Sequence, residues 1–154
     1  MSRPTRHAGK SAIVIIERRN PIDRELEFLV MDSVQLVAKK RRPVGHRMIK
    51  FPGGAEKYPG EPPALIANRE VCEETSLAYL VGEEVWSAKS NDHTKYGYMV
   101  YFEDCSGEIR TWDIPDGDEM LEPPRWVRAR DLKGKIFEGG ELFYESVCRR
   151  LKVF

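Results

Sequence analysis

The stretch from Gly53 to Leu77, GGAEKYPGEPPALIANREVCEETSL, constrains this chain more than any other. Phe51-Pro52-Gly53-Gly54 is a tight-turn signal, and Pro62 and Pro63 then open a helix that runs to about Thr75. Proline is tolerated there because the first helical amides have no intrahelical acceptor. At about 100° per residue, Glu70, Glu73 and Glu74 stand at i, i+3 and i+4 and share an arc of about 100°. Ala64, Ala67 and Val71 fall on an adjacent arc, with Leu65, Asn68 and Cys72 beyond it. The helix can press its small and apolar side inward and point three carboxylates one way.

Three carboxylates on one face repel each other, at a cost of a few tenths of a kcal/mol per i,i+4 pair. A hard divalent cation reverses that penalty, because Mg²⁺ seeks oxygen ligands. Two such ions could polarise a phosphate and activate a water for in-line attack. Arg69, beside this face, can pair with one glutamate and hold its rotamer. Taken alone, Arg69–Glu74 also reads as an ordinary solvated helix face. The joint pattern is more specific: a glycine turn, Glu61, seven residues, Arg-Glu, then Glu-Glu.

The rest of the chain alternates strand and helix. Ser11–Glu17 is rich in β-branched residues and reads as a strand. Glu25–Asp32 and Gln35–Ala38 read as a hairpin joined near Ser33, followed by a basic loop from Lys39 to Lys50. Leu77–Leu80, Glu84–Ala88, Lys95–Glu103 and Arg125–Arg128 are further strand candidates, and Asp113–Asp118 is an acidic turn. Leu142, Phe143, Val147 and Leu151 give Glu141–Leu151 helical spacing. The mixed order predicts an α/β or α+β layered domain.

The 154 residues suit one domain, with Met1–Lys10 as a short flexible tail and 11–154 as the domain. No stretch approaches the roughly 18 apolar residues of a membrane span. The 25 basic and 25 acidic residues cancel, which argues against a global electrostatic grip on nucleic acid. Cys72, Cys105 and Cys148 show no CxxC spacing, so they point to a reducing compartment, by default the cytoplasm.

From Glu61 onward the segment resembles the Nudix box, G-x5-E-x7-R-E-U-x-E-E-x-G-U, through Arg69, Glu70, Val71, Glu73, Glu74 and Leu77. The resemblance covers about 25 residues and departs in two places. Six residues rather than five separate Gly54 from Glu61, and Ser76 stands where the late glycine belongs. A left-handed helix stop costs a non-glycine residue on the order of 1 kcal/mol.

The resemblance implies a Nudix-type α/β/α sandwich with a mixed β-sheet. It also implies a pyrophosphohydrolase that cuts a nucleoside diphosphate linked to another group X, with Mg²⁺ or Mn²⁺ as cofactor. Glu70, Glu73 and Glu74 would be the main metal ligands, joined by a turn carbonyl that could belong to Gly53, Gly54 or Ala55. Glu61 and Arg69 would support them. A loop carboxylate is expected ahead of a late strand, with Glu119 as the candidate and Asp118 and Glu122 behind it. Of the basic run Lys39, Lys40, Arg41, Arg42, Arg47 and Lys50, the residues Arg42, Arg47 and Lys50 are candidates for substrate phosphates. Tyr96, Tyr98 and Tyr101 could stack on a base, though strand aromatics are more often core. Trp86, Trp112 and Trp126 are taken as packing residues. The alternatives are a non-catalytic nucleotide- or protein-binding module and an RNA 5′-end pyrophosphohydrolase. A homodimer is compatible with the sequence, which leaves both X and the oligomeric state open.

Overall fold

The first strand, β1 (Gly9–Arg19), carries apolar residues on both of its faces, so it requires a layer on each side. The computed structural model, which describes residues 9–80, 82–136 and 138–154, supplies those layers. In chain order there follow β2 (Leu26–Gln35), β3 (Arg47–Lys50), β4 (Gly53–Ala55), α1 (Pro63–Thr75), β5 (Ala78–Tyr79), β6 (Glu83–Ser90) and β7 (His93–Tyr101). Then come β8 (Cys105–Ser106), β9 (Ile114–Asp116), β10 (Glu119–Leu121), β11 (Arg125–Arg128) and α2 (Glu141–Arg150).

The main sheet runs β6-β7-β1-β2-β10-β9, with β4 added to β1, and β3 and β11 added to β2. Strands β1 and β7 are parallel and the other pairs antiparallel, so the sheet is mixed. Helix α2 packs Phe143, Tyr144, Val147 and Cys148 against Ile13, Ile15, Phe28 and Val30. Helix α1 packs Ile66, Ala67 and Val71 against Ala12, Val14, Ile16 and Leu29 on the other face. The alternation along β1 and β2 therefore sorts one side chain to each helix in turn. This is the expected α/β/α sandwich.

Several local expectations are corrected. Glu25–Ala38 is not a hairpin: Ser33 lies inside one continuous strand, β2. The polar pair Asp32-Ser33 mimics a turn, but Ser33 is buried opposite Leu121 and Asp32 is bridged by Arg125. The basic loop ends in a strand, since Arg47–Lys50 pairs with the second half of β2. The Gly53-Gly54 turn is itself a short strand on β1. The acidic turn is a hairpin, with Gly117 at φ +59° making the reversal between β9 and β10. On α2 the buried stripe is Phe143, Tyr144, Val147 and Cys148, while Leu142 faces solvent.

Trp86 packs on Phe143, and Trp126 packs on Phe102 under the guanidinium of Arg18, whereas Trp112 is exposed. Gly9 and Lys10 belong to β1, and Met1–Ala8 lie outside the described residues. Among the described residues no helix is long and apolar enough to cross a membrane.

Candidate active site

Strand β4 is tied to β1 by two backbone hydrogen bonds that flank it. Val14 N–H donates to the Pro52 carbonyl at 2.8 Å and Glu56 N–H to the Lys10 carbonyl at 3.0 Å. By the alternation of an antiparallel ladder, Gly54 then faces β1, and the polar groups of Gly53 and Ala55 face away from it. The Gly53 amide donates to Glu74 Oε1 at 2.7 Å, and the Ala55 carbonyl accepts from Arg69 at 3.1 Å. Of the three turn carbonyls left open by the sequence, that of Gly53 is thus the outward-facing one not bound by Arg69.

The glycine pair is a packing requirement. A Cβ on Gly53 would stand 2.5 Å from the Ala12 carbonyl oxygen, and one on Gly54 would stand 2.5 Å from the Glu70 carboxylate. Gly53 has no room for a side chain beside β1, and Gly54 has none while Glu70 stays where it is.

Arg69 organises the middle of the site. It donates to both oxygens of Glu61, at 3.2 and 3.0 Å, and to Glu70 Oε1 at 2.8 Å. A fork gripping one carboxylate leaves little rotational freedom to either partner. Glu61 is 2% exposed. Arg69, seconded by the Lys57 amide at 2.8 Å, holds its carboxyl below the usual carboxylate range. Within this loop, one residue longer than in the box, Lys57 also bonds Glu73 at 2.8 Å through its side chain.

The three helix carboxylates are not equivalent. Glu74 is 6% exposed, and its pKa is pushed up to about 8, first by burial and further by Glu70 and Asp116, against the Gly53 hydrogen bond. Glu70 is raised as well, by burial, against Arg69. Glu73 faces solvent on Lys57. The helix ends in a left-handed Ser76 at φ 67°, so serine takes the stop conformation a glycine would favour.

The opposite wall comes from the β9–β10 hairpin. A cleft of about 270 Å³ is lined by Glu70, Glu73, Glu74, Ile114, Pro115, Asp116 and Leu121. The acidic residue brought to it is Asp116, which the sequence reading had inside its acidic turn without singling it out. Glu119 lies directly across the hairpin from Asp116, paired with Arg42 at 2.6 Å. Burial would raise Glu119, but Arg42 and Lys50 outweigh it and hold its carboxyl low. Lys50 sits between the two acids, 3.9 Å from Asp116 and 3.5 Å from Glu119. Arg47 pairs with Glu122, and Lys39 with Asp118 at 2.7 Å.

A residue the sequence did not flag holds this wall. Arg110, 1% exposed, donates to the carbonyls of Glu74 (2.5 Å), Trp112 (2.5 Å), Leu121 (3.3 Å) and Glu122 (3.0 Å). Its charge rests on the carbonyl end of α1, the negative pole of the helix. Nothing local in EIRTW distinguishes it from a surface arginine.

Beyond Gly53 and Gly54 a second cavity of about 320 Å³ opens, bordered by Ile13, Lys50, Phe51, His93, Lys95 and Ile136 among others. Lys95 donates to the Gly139 carbonyl at 2.6 Å, and burial, then Lys50, pulls its pKa down. The three tyrosines do not line it. Tyr98 is core, Tyr96 packs against that core, and Tyr101 is exposed on β7.

No family profile and no curated protein sequence matches this chain. Solved structures do. A MutT structure from work on Aliivibrio salmonicida and Vibrio cholerae superposes with a TM-score of 0.65 at 17% identity, over 92% of this chain and 98% of that one. The MutT Nudix hydrolase of Burkholderia pseudomallei gives 0.63 at 19%, over 90% and 97%. The Nudix domain of Shewanella oneidensis NrtR, in complex with ADP-ribose, gives 0.60 at 15%, over 92% and 87%. At these identities the likeness shows the fold, and the fold is that of the MutT/Nudix hydrolases.

Proposed function

We propose that this chain, which has the Nudix hydrolase fold, cuts a diphosphate linkage in a nucleoside diphosphate joined to a further group, with the help of a divalent cation. One observation carries the reading. Arg69 and the Gly53 amide hold Glu70 and Glu74 in a cleft walled by Asp116, next to a cavity large enough for a nucleoside.

The donor set fits a hard cation. It consists of oxygens only, and Glu70 and Glu74 are both raised by burial, so a dication would relieve the cost of ionising them. Among the described residues no three such side chains converge as they stand. The cause is visible in their partners: Glu70 is on Arg69, Glu73 on Lys57 and Glu74 on Gly53. Glu73 is exposed and can exchange its lysine. Glu70, Glu73, Glu74 and the Gly53 carbonyl are the groups that would hold the ion. Bound there, Mg²⁺ or Mn²⁺ would neutralise charge developing on the phosphoryl oxygens.

The remaining roles belong to the chain itself. Glu61 locks Arg69, and Arg69 fixes the direction of Glu70. Asp116 is the carboxylate best placed to take a proton from a water in the cleft, with Glu119 behind it across the hairpin. Lys50 supplies positive charge between the cleft and the nucleoside cavity, and Arg42 and Arg47 extend that charge outward.

The test is a screen of nucleoside diphosphate derivatives with Mg²⁺ and with Mn²⁺, reading the phosphate-containing products. Cleavage of one class with retained specificity supports the reading. Binding without turnover would favour a nucleotide-binding module, the reading that the lack of three converging donors supports.

A further inference from the structure

A third cleft, about 480 Å³, lies on the far side of β3 and is lined by Lys40, Arg41, Arg42, His46, Arg47 and Lys135, together with Met48, Gly134 and Ile136. Among the described residues no acidic one borders it. Arg42 and Arg47 are partly neutralised by Glu119 and Glu122, but among the described residues Lys40, Arg41 and Lys135 make no ion pair. Arg42 Nη2 is buried without an acceptor. The tip that carries Lys40 and Arg41 is held in place: Lys39 and Arg42 exchange backbone hydrogen bonds of 2.8 and 2.9 Å, and Arg41 is pinned at φ 67°. Left-handed backbone at a non-glycine residue costs about 1 kcal/mol or more and persists only where the surroundings enforce it. The backbone of this tip is thus preorganised, and it carries exposed cations to the cleft.

The cleft adjoins the nucleoside cavity. Ile136 borders both, and it bridges Ile49 of β3, which separates them. Strand β3 runs from Arg47 in the cationic cleft to Lys50 in the nucleoside cavity, a span of about 10 Å at roughly 3.3 Å per residue. A ligand with its diphosphate near Lys50 would reach the cations only through a further group about one sugar long.

We propose that this cleft takes a phosphate carried at the far end of X, so that the preferred substrate is a nucleoside diphosphate joined to a phosphorylated group rather than to a neutral one. The inference rests on the hydrolase reading above. Arginine forks and lysine ammonium groups suit a phosphate dianion. A small ligand is favoured over RNA because the cleft is bounded and the chain as a whole carries no net charge.

The probes are ADP-ribose and ADP-ribose 1″-phosphate, which differ only in that terminal phosphate. Steady-state kinetics of the wild type, Lys135→Glu and the Arg41→Ala/Lys135→Ala double variant would be compared, with melting temperatures confirming folding. The wild type is expected to favour the phosphorylated substrate at least tenfold in kcat/KM. The variants are expected to lose that preference mainly through a higher KM. Equal handling of both substrates by the wild type, or a preference unchanged in the variants, overturns the proposal. If the wild type turns over neither, the hydrolase reading is decided by the wider screen, and calorimetric titration with ADP-ribose 1″-phosphate decides the cleft separately. Binding weakened at least tenfold in the variants then upholds it, and unchanged binding overturns it. Tighter, cleft-dependent binding of 5′-triphosphorylated RNA would assign the cations to nucleic acid and overturn the small-ligand proposal.

Discussion

The backbone N–H of Gly53 donates to Oε1 of Glu74 at 2.7 Å, which makes the glycine strand and the last carboxylate of α1 a single unit. Glu74 is buried with its pKa pushed up to about 8, so in the metal-free fold it keeps a proton that the unfolded chain has already released. In that window the folded state binds more protons, and stability falls with rising pH. The contribution is fully present below the unfolded value near 4.5 and is lost as pH rises through about 8. In the presence of a chelator, the wild type should lose more melting temperature between pH 5 and pH 8 than Glu74→Gln, which keeps an acceptor for Gly53. Parallel melting curves for the two proteins would show that this carboxyl is not ionising against burial.

Divalent ions should raise the melting temperature, since a ligand bound only by the folded state stabilises it by mass action. The gain should grow with pH up to about 8, because ligation requires the Glu74 carboxylate rather than the acid. Glu73→Gln should lose most of the gain. Calorimetry giving equal gains for wild type and variant would count against the site.

The two glycines should respond differently to alanine. At Gly54 the nearest atoms to the new Cβ are those at the end of the Glu70 side chain, so stability should hold while the carboxylate is displaced and turnover drops at least tenfold. At Gly53 it meets the Ala12 carbonyl, which belongs to the central strand and cannot swing away. Gly53→Ala should therefore cost about 1–3 kcal/mol in urea unfolding, the range of an overpacked site. The reverse ranking would mean that β4 is not held against β1 as described.

On whichever substrate the screen selects, Glu70→Gln and Glu73→Gln should each lower kcat by about 10²–10³, the usual loss of one electrostatic stabiliser. Glu145→Gln, exposed on α2, should change little. Asp116→Asn should reduce kcat more than Glu119→Gln, because Asp116 borders the carboxylate cleft and Glu119 is engaged by Arg42. Wild-type rates in both Glu70 and Glu73 variants would move the catalytic centre away from α1.

Arg110→Met should destabilise the fold by about 2–4 kcal/mol in urea unfolding, because the buried carbonyls of Glu74 and Leu121 and the part-buried ones of Trp112 and Glu122 lose a charged donor together. A change below 1 kcal/mol would mean that water replaces the guanidinium without loss.

The sequence by itself determined what local rules can determine. The β-branched run after Lys10 specified β1, the proline pair specified where α1 begins, and residue spacing placed Glu70 and Glu73 on one helix flank near Arg69. The spacing let Arg69 pair with one neighbouring glutamate, and it pairs with Glu70; its pairing with Glu61, ahead of the helix, was implied only by the family resemblance and is made by the fold. Tertiary structure alone decided the rest, because it depends on partners remote in the chain. Asp32-Ser33 reads as a turn until Arg125 and Leu121 arrive from ninety residues away and make it mid-strand. Three-residue strands such as β4, β9 and β10 are too short to show a period, so only their pairing defines them, β4 with β1, β10 with β2 and β9 with β10. Helical spacing put Glu74 on the same arc as Glu70 and Glu73, but packing against β4 buried it and so set its protonation. Asp116 and Arg110 matter through the walls they face, and a wall is a property of the folded chain.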